Sequence, residues 1–185
     1  MLHRFSMPPK SHTFTITLPL PPSVSADTAI GALHLHSNTL TLHPLVVSFK
    51  NISTNAVAGA SDAFFSSSEE SSPIKAYEVT ESVQVVPGIG SWGKKTVTFP
   101  AIYQDTTDGV KTRADATGGV IVKSQWHVRQ NTGASGNEGN VEGGWELAED
   151  VTFECPVLLM PFVKRSAEDS HRKVCERLIE IFKNS

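Results

Sequence analysis

The sequence predicts an α+β domain in which a curved antiparallel sheet wraps a long C-terminal helix, and three observations carry that prediction. Alternating apolar and polar runs recur through the middle of the chain with no helical segment between them. The pairs Pro87-Gly88, Asp108-Gly109 and Gly118-Gly119 separate those runs, and such pairs form the tight turns that join antiparallel neighbours. From Leu158 onward the apolar residues Met160, Val163, Ala167, His171, Val174, Leu178 and Phe182 follow a three-or-four-residue step, which describes an amphipathic helix. A parallel doubly wound sheet needs a crossover helix between strands, and the pattern supplies none.

The elements follow in order. Residues 1–11 read as a flexible N-terminus. From His12 to Leu20 the residues Phe14, Ile16, Leu18 and Leu20 alternate with threonines, as a half-buried strand requires. Pro19, Pro21 and Pro22 close it, and Ser23 or Ser25 caps a short helix carrying Ala26, Ile30 and Leu33. Ser37 and Asn38 break that helix and start a second through Leu40 and Leu42, ended before Pro44. Residues 51–73 read as a long Ser-rich loop with Phe64 and Phe65 in its middle. Four alternating runs follow: Ala76 to Val86, Thr96 to Gln104, Val110 to Ala116 and Val120 to Gln130. A Gly- and Asn-rich loop, 131–144, leads to a last strand, Trp145 to Cys155, and Pro156 ends it. Pro161 is either a first-turn residue of the final helix or the site of a kink.

A twisted sheet of about seven strands curls, and one helix across its concave side leaves part of the groove unfilled. A cavity between sheet and helix is therefore expected.

Composition narrows the function classes. The 185 residues suit one domain, taken as 12–185, with 39% hydrophobic and 19% charged residues. A net charge of −3 and the lack of a basic stripe argue against a nucleic-acid partner. No run approaches the length of a transmembrane helix and the N-terminus has no signal-like apolar core, so a soluble cytoplasmic protein without membrane insertion is expected. Cys155 and Cys175 match no zinc or disulfide pattern and read as buried thiols. His34, His36 and His43 lie close in sequence, but two histidines two apart on a helix point to different faces, so no metal is expected.

The wording Trp92-Gly93-Lys94-Lys95 to Phe99-Pro100, Lys111-Thr112-Arg113-Ala114-Asp115, and Gly144-Trp145-Glu146-Leu147 to Leu159-Met160-Pro161-Phe162 carries a likeness. With the order of elements, it resembles a fungal branch of the START, Bet v 1 and polyketide-cyclase superfamily, the helix-grip fold, from about His12 to Phe182. That resemblance implies a hydrophobic ligand between sheet and helix. It transfers no catalytic motif, so the site residues come from strand parity.

Parity sets Tyr77, Val79, Val83 and Val85 inward with Glu81 among them, and Val97, Phe99, Ala101 and Tyr103 on the next run. Thr112, Ala114 and Ala116 follow, then Val120, Val122, Ser124, Trp126 and Val128, then Trp145, Leu147, Val151, Phe153 and Cys155 with Glu149 among them. A carboxylate on an apolar face is costly unless paired or protonated. Glu81 and Glu149 are therefore candidate acid-base groups or ligand anchors, the alternative being a β-bulge or a rim position. His171 sits on the apolar stripe of the last helix and Tyr103 on an inward strand face, and both join the catalytic candidates. Phe99, Thr112, Ser124, Trp126, Trp145, Leu147, Met160, Val163 and Ala167 are the candidate ligand-binding residues. Neither Ser124, Cys155 nor Cys175 has a flanking motif that marks a nucleophile.

Two functions remain open. One is a cofactor-independent cyclase that closes a ring on a polyketide or terpenoid chain, including a pericyclic, Diels-Alderase type of closure, with no cofactor required. The other is a non-catalytic lipid or sterol carrier with Phe64 and Phe65 as a lid. Either one acts as a monomer or homodimer.

Overall fold

The computed structural model of the chain describes residues 9–65, 72–84, 94–131 and 144–184. Seven antiparallel strands form one sheet in the order β1-β7-β6-β5-β4-β3-β2. The strands are β1 Pro9–Pro19, β2 Val46–Ile52, β3 Lys75–Gln84, β4 Lys94–Thr106, β5 Gly109–Ala116, β6 Val120–Gln130 and β7 Trp145–Pro156. Helices α1 (Ala26–His34) and α2 (His36–Leu42) follow β1, and α3 (Met160–Lys183) ends the chain. This is the architecture that the sequence pattern predicts, and the Bet v 1-like helix-grip fold that the resemblance implies.

Local chemistry explains most boundaries. The Ser25 hydroxyl caps α1 by accepting from the Thr28 amide at 3.1 Å. The Asn38 side chain donates to Ala32 O at 2.8 Å, so a first-turn residue of α2 also satisfies a carbonyl near the end of α1. Pro161 occupies the first turn of α3, where its missing N–H costs nothing. Gly118 and Gly119 take φ of +80° and +75° in the β5–β6 turn, a conformation that side chains resist.

Two sequence expectations are corrected, and others fall outside the described residues. Residues 9–11 belong to β1 rather than to a flexible N-terminus, and residues 1–8 lie outside the described residues. The segment 51–73 is not one loop: Asn51 and Ile52 finish β2, and two 3-10 turns, Thr54–Ala56 and Ala58–Ser61, follow. Residues 66–71, 85–93 and 132–143 lie outside the described residues, so the Pro87-Gly88 turn and most of the 131–144 loop do too.

The sheet has two dressed faces. On the concave face α3 buries Val174, Cys175, Leu178 and Phe182 against the strands and against Leu33 and Leu40 of the short helices. Each such side chain contributes about 1.5–3 kcal/mol. On the convex face Val57 and Phe65 cover Ala76 and Ile102, with Phe64 packed beside them. Phe64 and Phe65 therefore sit behind the sheet, which overturns the expectation of a lid over the cavity. No helix among the described residues is long and apolar enough to cross a membrane.

Candidate functional site

The concave side of the sheet is alternately bulky and small, and the small positions leave room. Ala101, Ala114 and Ala116 occupy inward positions where larger residues would reach α3, and a cavity of about 830 Å³ opens above them. Val79, Val97, Phe99, Val120 and Val122 continue its apolar wall, and Val163, Ala167 and Val174 of α3 roof it. Thr117, Gly118, Leu159 and Phe162 stand at its mouth, where Phe162 is 72% exposed. The volume falls within the range of about 300–1,000 Å³ common for small-molecule sites.

The other end of the cavity is polar. Glu149 extends from β7 and is fully buried. It meets His171 of α3, whose Nδ1–H donates to Oε1 at 2.5 Å, while Cys175 Sγ donates to Oε2 at 3.5 Å. This bond fixes the histidine tautomer and leaves Nε2 with no partner among the described residues. The ring stacks on Trp126 with centroids 6.4 Å apart and lines the cavity. Burial alone would lower the His171 pKa, but the charge and hydrogen bond of Glu149, helped by Glu81, raise it above the ordinary 6.5.

Glu81 stands across from this pair, on β3. Its carboxylate lies 3.2 Å from His43 Nδ1, outside hydrogen-bond geometry, so that nitrogen remains a buried atom without a hydrogen bond. Burial pushes the Glu81 pKa up to about 7, against the opposing pull of His171. Burial, with the charges of His171 and Arg177, lowers His43 to about 3, so its ring is neutral. The His43 and His171 rings lie 6.1 Å apart, edge to face, so His43 neighbours both ionisable groups.

A second polar chain lies behind Tyr103. His36 Nε2–H donates to Asp105 at 2.7 Å and His36 Nδ1 accepts from the Tyr77 hydroxyl at 2.9 Å. Burial keeps His36 below its usual pKa, in line with that neutral tautomer. The Tyr103 ring packs against His36 at 4.6 Å, and its hydroxyl accepts from Thr39 at 3.4 Å. Burial raises the Tyr103 pKa, so the phenol stays neutral.

Most of the residues singled out from sequence converge on this cavity. Glu81, Tyr103 and His171 line it, with Phe99, Thr112, Ser124, Trp126, Val163 and Ala167, and Glu149 sits directly behind His171. Trp145 does not join them: its parity is right, but it begins β7, does not line the cavity and is 36% exposed. Leu147 is buried in the main core, and Met160 packs with Val120, Phe153 and Cys155, so neither forms the cavity wall. His43 and the His36 chain were not among the sequence candidates. Their partners are remote in sequence, 41 and 69 positions away for His36, and no local period marks such pairs. Among the described residues no group of three or more His, Cys, Asp or Glu is arranged to hold a metal ion. Both cysteines are free and buried.

A family model described as "Domain of unknown function (DUF7053)" matches residues 9–184. No curated protein matches the sequence. Among solved structures, the chain is similar to the Zhui aromatase/cyclase from Streptomyces sp. R1128, with 10% identity, 95% of this chain and 94% of that one covered, and a TM-score of 0.55. It is similar to the di-domain ARO/CYC BexL from the BE-7585A biosynthetic pathway, with 8% identity, 92% and 49% covered, and a TM-score of 0.56. It is also similar to Ara h 8.0201, with 16% identity, 92% and 99% covered, and a TM-score of 0.51. At such identities the likeness shows the fold alone.

Proposed function

The chain belongs to the DUF7053 family, whose description assigns no activity, and from its own cavity we propose that it binds a hydrophobic small molecule and acts on it as a cofactor-independent cyclase. The substrate class is a polyketide or terpenoid chain of secondary metabolism, folded by the apolar wall until two of its carbons meet. One observation carries this reading: Glu81, with a pKa of about 7, and His171, with a raised pKa, line one largely apolar cavity with His43 beside both.

The chemistry follows from Glu81 and His171. Ionised Glu81 removes a proton from a carbon beside a carbonyl, and protonated His171 donates from Nε2 to an oxygen where negative charge develops. The carbanion attacks a second carbonyl carbon, one C–C bond forms, and the new alkoxide takes the His171 proton. Glu81 then releases its proton to water and His171 takes one up from water, so the protons balance over the cycle. Glu149 holds the imidazole in place and stabilises its charged form. A pericyclic closure would use the same cavity, with His171 serving only as hydrogen-bond donor.

The carrier reading keeps one observation of its own. Leu158 and Phe162, 71% and 72% exposed, form an apolar rim where a lipid or sterol would enter and leave.

Proton exchange separates the two. With 2-tetralone as probe ketone in D2O, the cyclase reading expects the protein to accelerate loss of the α-proton NMR signal, with Glu81→Gln and His171→Gln each abolishing the acceleration. A carrier would bind the ketone and leave the exchange at the buffer rate.

A further inference from the structure

The polar atoms of the cavity are arranged as a row. Across the sheet Tyr103 pairs with Thr112, and Thr112 pairs with Ser124, so three hydroxyl-bearing residues stand side by side on β4, β5 and β6. All three line the cavity. Adjacent strands lie about 4.8 Å apart, so the row spans about 10 Å. None of the hydroxyls is committed. Ser124 Oγ is buried without a hydrogen bond, Thr112 makes no side-chain bond among the described residues, and Tyr103 accepts one from Thr39 and keeps its own proton free. A buried hydroxyl without a partner costs about 1–3 kcal/mol, so a ligand oxygen that satisfies it is favoured.

The row also has a direction. One step deeper along the strands, Trp126 lies against His171 and pairs with Glu149. In the other direction the inward positions of β5 and β6 are apolar, Ala114 with Val122 and Ala116 with Val120, as far as Thr117, and Phe162 stands exposed at the mouth. Along these two strands the lining thus passes from apolar to hydroxyl-bearing towards Trp126 and His171.

Resting on the ligand-binding reading above, we infer that this site selects an elongated molecule with an apolar tail and an oxygenated head carrying two hydroxyl or carbonyl oxygens about one strand spacing apart, and that the head enters first. Ser124 donates to one head oxygen and Thr112 or Tyr103 to the other. The head then lies beside His171 Nε2 and the tail lies against Phe162 at the mouth. A hydrocarbon of the same shape would fill the space but leave Ser124 unsatisfied.

Isothermal titration calorimetry with 5-pentylbenzene-1,3-diol and pentylbenzene tests this, because the meta hydroxyls of the diol are separated by about one strand spacing. The parent protein should bind the diol at least about 10-fold more tightly, since two hydrogen bonds of ordinary net strength give that factor. Ser124→Ala should weaken the diol by about 3- to 10-fold and leave pentylbenzene unchanged, and Thr112→Val should do the same independently. Equal affinity for the two probes, or an unchanged ratio in both variants, overturns the inference and leaves the cavity reading standing. Binding of neither probe overturns both.

Discussion

His171 Nδ1 lies 2.5 Å from Glu149 Oε1, joining the roofing helix to the one fully buried carboxylate of the described residues. The contact explains how a charge survives inside an apolar sheet: the carboxylate is met by an imidazole from α3 and a thiol one turn further along. Two elements that meet only in the folded chain thus create a histidine whose free nitrogen faces open space.

Replacing Glu149 with Gln removes the charge that raises His171, so the His171 pKa should fall towards or below 6.5. The alkaline limb of any proton-exchange activity, set by loss of the His171 proton, should move to lower pH with it. Truncation to Ala leaves His171 without a partner and should cost about 3–5 kcal/mol in urea unfolding. NMR titration of the His171 ring in the Gln variant checks the first point, and an unmoved pKa would contradict it.

Glu81 and His43 should impose opposite pH dependences on stability. Glu81 holds its proton up to about 7 in the fold but loses it near 4.5 when unfolded, so stability falls as pH rises through that window. The charged group costs at most about 3 kcal/mol above pH 7. Glu81→Gln should be more stable than the parent at pH 8 and gain nothing at pH 4. His43 stays neutral down to about 3 in the fold but charges near 6.5 when unfolded, so stability is lost as pH falls between those values. His43→Gln should therefore gain at pH 4, by at most about 3 kcal/mol, and gain nothing at pH 8. Urea denaturation at the two pH values checks both signs.

Two glycines should respond oppositely to alanine. A Cβ on Gly109 would lie 2.1 Å from Trp126 O, so β5 and β6 would have to separate. The cost should reach about 3 kcal/mol or more. Gly31 lies within α1 with nothing near its Cβ position, and alanine there should add about 0.8–1.0 kcal/mol from helix propensity. Thermal unfolding of the two variants reads the contrast directly.

The fold was legible because its signals are periodic. Alternation placed Glu81 and Glu149 on inward faces, and the helical step placed His171 on the stripe with Val174 and Leu178, so both halves of the Glu149–His171 pair were readable separately. Parity does not report where along a strand the cavity ends, which is why Trp145, at the exposed start of β7, was misplaced. Nor does it separate residues packed into the core, such as Leu147 and Met160, from those facing the hollow. The aperiodic stretch around Phe64 and Phe65 gave no face at all, and it packs on Ala76 and Ile102 behind the sheet. The His43 approach to Glu81 and the Asp105–His36–Tyr77 chain depend on long-range closure, and no local spacing encodes them.

Whether the cavity takes up a hydrophobic molecule is tested most directly by fluorescence titration with 1-anilinonaphthalene-8-sulfonate, comparing the parent with Ala114→Trp. Ala114 lies in the cavity wall, and an indole there would occupy the space that the probe needs. A single saturable site in the parent that disappears in a folded Ala114→Trp variant is the predicted result. No saturable binding by the folded parent, or equal affinity in the filled variant, would contradict it.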